Sequence, residues 1–430
     1  MTFTSSPNAA ILQSLQEQIA SLLLYQSVLD NEVGQAFIQL LEALRYSKNN
    51  ELTCLHAYGT WFKALAARNQ SWQDYLIHQI LLDENPFSQQ VQRLSLEASP
   101  TSLIAAAKQD LQALQSLYEC NTQQLSQLVQ GICKTTMPPV VWNLETRYDL
   151  SWQQEDDWGN AIADLAQYYR KHGVGLFGQY TALRWQQGRL EGILSPDPVQ
   201  LTDIVGYESQ REALQKNTEF LLAGYPALHV LLYGSRGTGK SSLVKGLLQK
   251  YAEQGLRLIE VAKSELKALP IIIEKLREIP QKFIIFVDDL SFEEDDDAFK
   301  ALKVVLEGSV TAKAQNVVVY ATSNRRHLVR EYFADRPRPS DADEIHAWDS
   351  VQEKLSFSDR FGLTLTFEPT NQDTYLTIVS HLAKQAKIHL PQEELEFRAK
   401  QWATQHNGRS GRTAKQFIDF LQAELNFVKS

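Results

Sequence analysis

Apolar residues recur every three or four positions through most of residues 1–172, which is the spacing of one face of an α-helix. The clearest runs are Leu12, Leu15, Ile19 and Leu22; Phe37, Leu40, Leu41 and Leu44; Trp72, Leu76 and Ile80; Leu103, Leu111, Leu114 and Leu117; and Trp158, Ile162, Leu165 and Tyr169. Pro86 and the pair Pro138-Pro139 interrupt this pattern, because proline ends or kinks a helix. The pattern predicts an all-α N-terminal domain over residues 1–172, with its tryptophans in the core.

The pattern changes after residue 200, where short apolar runs alternate with helical stretches. The runs of strand length are Leu228–Tyr233, Leu256–Val261, Phe283–Val287, Val317–Tyr320 and Leu363–Phe367. Such alternation is typical of a parallel sheet with helices on both faces. We therefore predict a five-stranded α/β domain over residues 201–369, followed by a helical subdomain over residues 370–430.

Residues 173–200 separate these regions. The runs Tyr180–Trp185 and Arg189–Ile193 flank Gln187-Gly188, which predicts a short β-hairpin followed by a linker. The segment Gly173–Gly178 has the spacing GxGxxG, but it follows a helical pattern instead of a strand. It therefore lacks the context of a dinucleotide-binding site, and we predict a loop there.

Composition narrows the class of protein. The 430 residues include 51 acidic and 42 basic side chains, a net charge of −9, which does not favour a general attraction to nucleic acid. The three cysteines form no C-x-x-C pair, and no apolar run is long enough to span a bilayer. The first residues do not resemble a secretory signal. We expect a cytoplasmic protein without membrane insertion.

The segment Gly234–Ser241 matches the pattern G-x-x-x-x-G-K-[ST] and lies between a predicted strand and a predicted helix. A chance glycine-rich turn is the alternative, which the full match in the right context disfavours. In this pattern, backbone N–H groups surround a phosphate, Lys240 reaches the β- and γ-phosphates, and the Ser241 hydroxyl ligates Mg²⁺. The predicted phosphate-binding residues are Gly234, Ser235, Arg236, Gly237, Thr238, Gly239, Lys240, Ser241 and Ser242.

Polar residues follow three of the predicted strands. Asp288 and Asp289 come after Phe283–Val287; Asp288 would hold Mg²⁺ and Asp289 would polarise a water molecule, although two aspartates capping a loop are the alternative. Hydrolytic relatives usually carry Glu at the second position, so Asp289 predicts slow turnover or an adjusted geometry. Asn324 could orient that water and Arg360 could stabilise charge on the transferred phosphoryl group, although a turn asparagine and a solvated arginine are the alternatives.

In this order, these motifs resemble those of the AAA+ ATPases. The phrases DPVQLTDIVGYESQREAL, GTGKSSLVKGLL, VDDLSFE, ALKVVLEG, YATSNRRHL and EKLSFSDRFGL resemble more closely one uncharacterised bacterial AAA+ family, a domain-of-unknown-function group, over residues 175–425. The resemblance implies ATPase activity with ATP and Mg²⁺, and an AAA+ module with a C-terminal helical lid. It also implies roles for Asn324 as sensor 1 and Arg360 as an arginine finger toward a neighbouring subunit, hence a homo-oligomer.

The same resemblance implies that Ile204 and Val205 line an adenine pocket and that a lid arginine, Arg412 or Arg409, contacts the nucleotide; we favour Arg412. Three functions stay open: an ATP-driven remodeller of a protein partner bound by the N-terminal domain, a slow nucleotide-gated binding switch, and a DNA loader, which the net charge disfavours. A small-molecule kinase would leave Asn324 and Arg360 unexplained. The connection 328–359 is long for neighbouring strands, which is typical of functional or mobile segments.

Overall fold

The computed structural model describes residues 7–46, 51–145, 147–148, 150–292, 297–307, 314–324, 357–406 and 408–427. Most of the long connection 328–359 therefore lies outside the described residues. The chain divides into two units, Met1–Gln179 and Tyr180–Ser430, and each is described by itself. The division falls within the region 173–200 in which the sequence predicts a hairpin and a linker.

The first unit is helical, as predicted. Its α-helices are α1 Pro7–Ala20, α2 Glu32–Tyr46, α3 Glu51–Arg68, α4 Trp72–Leu82, α5 Pro86–Arg93, α6 Thr101–Glu119, α7 Thr122–Cys133, α8 Ile162–His172 and α9 Gly175–Gln179. Short 3-10 helices occupy Gln26–Leu29, Leu96–Ala98, Ser151–Gln154 and Trp158–Ala161. The loop predicted at Gly173–Gly178 is wrong, because α9 begins within it and the Gly178 N–H bonds to the carbonyl oxygen of Val174.

Aromatic side chains fill the centre of this unit. The ring of Trp72 stacks on Phe37 at a centroid distance of 4.1 Å and meets Trp61 edge-on at 5.6 Å. All three side chains are almost completely buried. The prediction that the tryptophans at helical spacing belong to the core is confirmed for Trp61 and Trp72.

Among the residues that the structure describes, the second unit is built on a seven-stranded sheet. Its strands are β1 Ala182–Gln186, β2 Arg189–Gly192, β3 Val230–Gly234, β4 Leu256–Val261, β5 Lys282–Val287, β6 Val317–Ser323 and β7 Leu363–Phe367, in the spatial order β2-β1-β4-β5-β6-β3-β7. The five predicted strands are present and parallel to one another.

The sheet is wider than the five strands predicted, because the hairpin β1-β2 joins it. Strand β1 pairs in parallel with β4, and Leu183 and Trp185 of β1 are buried. The hairpin therefore extends the sheet of the second unit, and its apolar side chains are buried there. Of the seven described strands, β2 is the one that departs from the parallel arrangement, because it pairs antiparallel with β1.

Helices cover both faces of this sheet. They are α10 Glu208–Leu222, α11 Lys240–Tyr251, α12 Leu269–Leu276 and α13 Asp297–Glu307, with 3-10 helices at Leu201–Asp203, Ala252–Gln254, Lys263–Ala268 and Phe357–Arg360. In β3, Val230, Leu231 and Leu232 are all fully buried although successive side chains point to opposite faces. This two-sided burial explains why β3, β5 and β6 are continuous apolar runs in the sequence.

Three further helices, α14 Gln372–Gln385, α15 Gln392–Gln405 and α16 Gly411–Phe427, form the lid, which has its own apolar cluster around Tyr375 and Phe417. The predicted fold class, an α/β P-loop module with a helical lid after an all-α region, is confirmed. In the part of the chain that the structure describes, no helix combines the length and the hydrophobicity needed to cross a bilayer.

Candidate nucleotide-binding site

A glycine-rich loop, Gly234–Ser241, connects the carboxyl end of β3 to α11 and is called the P-loop below. Helix α11 begins at Lys240, and its N-cap Gly239 has a left-handed φ of 90°. The first N–H groups of a helix lack intrahelical partners, and the helix dipole places partial positive charge there. The loop and the helix start can therefore bind an anion such as phosphate.

Two P-loop positions leave no room for a side chain. At Gly234, φ is 140°, and a Cβ atom would lie 1.9 Å from the carbonyl oxygen of Phe367 in β7. At Gly237, φ is 77°, and a Cβ atom would lie 2.8 Å from Oγ of Ser410 in the lid. Glycine at these positions lets both β7 and the lid approach the loop backbone.

The Lys240 ammonium group is held by the P-loop backbone. Its Nζ donates to the carbonyl oxygens of Gly234 at 2.9 Å and Ser235 at 2.7 Å. Burial lowers the pKa of Lys240, while the nearby carboxylates of Asp288 and Asp289 act to raise it. The cation thus lies between the loop and the ends of the neighbouring strands, where it can bind phosphate oxygens.

Asp288, directly after β5, meets two hydroxyl groups. Ser241 Oγ donates to Asp288 Oδ1 at 2.7 Å, and Thr322 Oγ1 donates to the same oxygen at 2.5 Å. Carboxylate and hydroxyl oxygens, together with phosphate oxygens and water, are the ligands that Mg²⁺ takes in such sites. The pair Ser241 and Asp288 fits a Mg²⁺ ion by its donor chemistry.

Asp289 has an unusual backbone conformation, with a left-handed φ of 52°. Its N–H donates to Thr322 Oγ1 at 2.9 Å, and its carboxylate Oδ1 accepts from Asn324 Nδ2 at 2.6 Å. Asn324 Oδ1 in turn accepts from Lys240 Nζ at 3.4 Å. The ends of β5 and β6 and the P-loop are therefore connected by one polar network.

These groups line a cleft of about 990 Å³, which we call the P-loop cleft. It is lined by P-loop residues from Arg236 onward, Ser242, the acidic pair, Asn324, Ile204 and Val205, and by the lid residues Ile378, Leu382, Gln385 and Arg412. Gly234 and Ser235 are not among the lining residues, although their carbonyl oxygens accept from Lys240. The volume is at the upper end of the range for small-molecule sites.

Of the two lid arginines, the structure places Arg412 in the cleft. The N–H of Arg412 donates to the carbonyl oxygen of Gly237 at 3.2 Å, which ties the start of α16 to the P-loop. Arg409 is not among the lining residues; it lies near Tyr375, where its charge acts to lower a tyrosine pKa that burial raises to about 12.

Arg360 is not brought to the P-loop cleft of its own chain. It ends the 3-10 helix Phe357–Arg360, and its Nε forms an ion pair with Glu307 of α13 at 2.9 Å. The side chain is largely buried, at 21% exposed. Arg360 and the other predicted catalytic residues are therefore not brought together within one copy of the chain.

The sequence pattern did not identify two contributors to the cleft, Thr322 and Gln385. Thr322 contacts both aspartates, and Gln385 Nε2 donates to Asp203 Oδ1 at 2.8 Å, joining α14 to the segment before the P-loop strand. A signal for Thr322 existed, because it lies in β6 two residues before Asn324, which directly follows the strand. Nothing in the sequence pairs Asp203 with Gln385.

The cleft fits a nucleoside triphosphate and Mg²⁺ on the structure's own features. The P-loop holds a glycine cradle that any side chain would fill, a buried cation and a helix start. Ser241 and Asp288 would hold the ion, and the apolar side chains of Ile204, Ile378 and Leu382 provide a surface for a base.

A family model described as "Protein of unknown function (DUF815)" matches residues 178–425. No curated protein is significantly similar to this chain. Among solved structures, the RuvB Holliday junction branch migration motor of Thermotoga maritima is 14% identical with a TM-score of 0.37, covering 54% of this chain and 67% of that chain. A mutant of the same protein is 16% identical with a TM-score of 0.38, covering 54% and 68%.

Proposed function

Given that the chain belongs to the DUF815 family, whose description assigns no activity, we propose that it is an AAA+ ATPase that binds ATP with Mg²⁺ in the P-loop cleft. The observation that carries this proposal is the convergence of Lys240, the two aspartates and Asn324 from three different elements into one hydrogen-bonded network. A chance glycine-rich turn would not account for that convergence.

Different residues of the cleft bind the phosphates, the adenine and Mg²⁺. The P-loop N–H groups and Lys240 bind the phosphates, while Arg236 and Arg412 add positive charge at the cleft. Ile204 and Val205, with the lid residues Ile378 and Leu382, contact the adenine. Ser241 and Asp288 hold Mg²⁺, which when bound neutralises charge on the phosphate oxygens.

The reaction is hydrolysis of the terminal phosphoanhydride bond. A water oxygen attacks the γ-phosphorus, the bond to the bridging oxygen breaks, and ADP and phosphate leave. Asp289 polarises this water and Asn324 orients it, because the two side chains are already joined at 2.6 Å. Lys240 stabilises negative charge that develops on the phosphate oxygens.

The position of Arg360 supports an oligomer. Because it lies away from its own cleft, we propose that it completes the site of a neighbouring copy, so that ATP binding and hydrolysis are coupled to assembly. The helical unit Met1–Gln179 would then bind a protein partner that the nucleotide cycle remodels or regulates.

One observation favours a second function, a slow nucleotide-gated binding switch. The second acidic residue is Asp289, one methylene shorter than the usual glutamate, and its backbone is left-handed. A carboxylate placed less favourably for water activation would make hydrolysis slow, so that its rate sets the lifetime of the ATP-bound form. The ATP-bound and ADP-bound forms would then differ in partner affinity.

The test is steady-state ATP hydrolysis over a series of protein concentrations, combined with titration of a fluorescent ATP analogue. We expect Lys240→Ala to reduce kcat by about 100-fold or more, because a donor to the transition-state charge is lost. The matched control is Lys250→Ala in the same helix, whose Nζ lies 3.9 Å from Glu219 and which should keep full activity.

The outcomes separate the functions. Rising specific activity with protein concentration supports the oligomeric ATPase, whereas tight ATP binding with little turnover that Asp289→Glu accelerates supports the switch. A wild-type protein that neither binds nor hydrolyses ATP contradicts both. DNA binding with a steep salt dependence would instead support the loader, against the net charge of −9.

A further inference from the structure

We propose that Thr322 is the positioning residue of the acidic pair: its hydroxyl group fixes Asp288 and Asp289 relative to each other for metal binding and water activation. The inference rests on the proposed ATPase function and deepens it. Thr322 lies near the end of β6 and is only 2% exposed.

Three consecutive residues after β5 are tied to Thr322. Its Oγ1 donates to Asp288 Oδ1 at 2.5 Å and accepts from the N–H of Asp289 at 2.9 Å. Its carbonyl oxygen accepts from the N–H of Leu290 at 2.7 Å. One residue thus determines both the side chain of Asp288 and the backbone path on which the side chain of Asp289 depends.

The hydroxyl group is needed for both contacts at once. A threonine hydroxyl has a single hydrogen, and when that hydrogen points to Asp288 the lone pairs remain for the Asp289 N–H. The left-handed backbone of Asp289 is uncommon for a residue other than glycine, so it needs such a contact to persist. Valine has the same shape without either contact.

Loss of the Thr322 hydroxyl group should affect Mg²⁺ binding and turnover more than nucleotide affinity. The phosphate cradle belongs to the P-loop, and the apolar surface for the base belongs to Ile204 and the lid. Without the hydroxyl, Asp288 keeps its contact with Ser241 but loses its second one, and Asp289 is no longer held toward Asn324. Partners that orient metal ligands typically affect metal affinity or activity by about 10- to 100-fold.

The experiment compares Thr322→Val and Thr322→Ser in the full chain. We measure kcat, KM for ATP, the Mg²⁺ concentration that gives half-maximal activity, and the melting temperature. The matched control is Thr218→Val, which also removes a fully buried hydroxyl but one that contacts Leu214 and Tyr320, away from the cleft.

We expect Thr322→Val to lower kcat by about 10- to 100-fold and to raise the Mg²⁺ requirement, with little change in KM. Thr322→Ser should recover most of the activity. Thr218→Val should stay active even if its melting temperature falls as far as that of Thr322→Val. Equal kcat and equal Mg²⁺ requirement for Thr322→Val and wild type would overturn the proposal. An equal loss of kcat in Thr218→Val would also overturn it, since that loss would show that removing a buried hydroxyl group away from the cleft lowers activity as much.

The failure of this inference differs from the failure of the proposed function. A wild-type protein that binds no nucleotide contradicts both, whereas an active wild type with an unaffected Thr322→Val contradicts the role of Thr322 alone. If the wild type binds ATP and hardly hydrolyses it, the Mg²⁺ dependence of fluorescent ATP analogue binding replaces kcat. That dependence must then shift in Thr322→Val and not in Thr322→Ser, or the proposal is wrong.

Discussion

Gly234 is the P-loop residue whose replacement has the most direct structural consequence. Its φ of 140° is in a region that residues with a Cβ rarely adopt, and a Cβ atom would collide with the carbonyl oxygen of Phe367. We expect Gly234→Ala to lower the free energy of local unfolding by about 3 kcal/mol. Hydrogen exchange of β3 peptides reports this quantity for the second unit alone.

The control for Gly234→Ala is Gly224→Ala. Gly224 also has a positive φ, of 78°, but a Cβ atom there would meet nothing within 4 Å. That substitution should cost only the left-handed backbone preference, about 1–2 kcal/mol. Equal effects of the two substitutions would show that β7 moves away and that the contact with Phe367 is dispensable.

At the level of residues, the sequence predicted those whose chemistry follows from a motif. The P-loop is a continuous segment whose spacing alone implies a phosphate cradle, and the aspartates after an apolar strand imply a metal site. Thr322 could not be identified in the same way, because its role depends on how the ends of β5 and β6 lie side by side. Its contacts join residues more than thirty positions apart in sequence.

At the level of elements, the packing of β6 on α10 predicts that the folded state loses stability at alkaline pH. The Tyr320 hydroxyl contacts Asn217 and Thr218 of α10 at 3.0 Å, and burial raises the pKa of Tyr320 to about 12 from its ordinary 10. The folded state therefore favours the neutral phenol. The stability that this contributes is complete below pH 10 and is lost as the pH rises through about 12.

The size of the effect follows from the difference between the ordinary pKa of 10 and the folded-state pKa of about 12, which corresponds to about 3 kcal/mol. Tyr320→Phe should lose about 1 kcal/mol at pH 7 through its hydrogen bonds and then decline less steeply than wild type between pH 10 and pH 12. Urea unfolding at each pH measures this difference. Tyr225→Phe, at an exposed side chain, should keep the wild-type slope; an unchanged slope in Tyr320→Phe would contradict the argument.

The link between α14 and Asp203 gives a second prediction at this level. Gln385 Nε2 donates to Asp203 Oδ1 at 2.8 Å, and both residues line the P-loop cleft. Gln385→Ala should weaken ATP-analogue binding by about two- to tenfold, since one hydrogen bond that ties the lid to the segment before α10 is lost. The control is Gln392→Ala, which breaks only an exposed contact within α15. Equal affinity of Gln385→Ala and wild type would show that the lid is held by its apolar contacts.

The elements themselves were largely predictable, and their partners were not. The bounds of β4 and β7 agree with the predicted strands residue for residue, because β4 is buried along almost its whole length and β7 alternates between exposed threonines and buried apolar residues. The hairpin β1-β2 was also visible in the sequence, yet its pairing with β4 was not. Periodicity shows that a strand has an apolar side, but it does not show which strand will pair with it.

At the level of the whole molecule, the separation of Arg360 from its own cleft makes a prediction about assembly. An interface that joins the Lys240 site of one copy to the Arg360 of the next is heterologous, so each active site draws on two chains. Lys240→Ala and Arg360→Ala should each be inactive alone. In an equal mixture, about a quarter of the interfaces should pair an intact Lys240 with an intact Arg360 and recover activity.

The measurement is ATP hydrolysis by the two variants separately and after mixing at equal concentrations, with the mass of each assembly determined in the presence of ATP. Arg189→Ala serves as the control, because the exposed Arg189 side chain pairs with Glu191 of the same strand and its loss should not affect turnover. Recovery on mixing requires that the two substitutions damage different halves of a shared site. If both variants assemble and the mixture stays inactive, Arg360 does not act on a neighbouring chain, and its ion pair with Glu307 would then be a structural contact of α13.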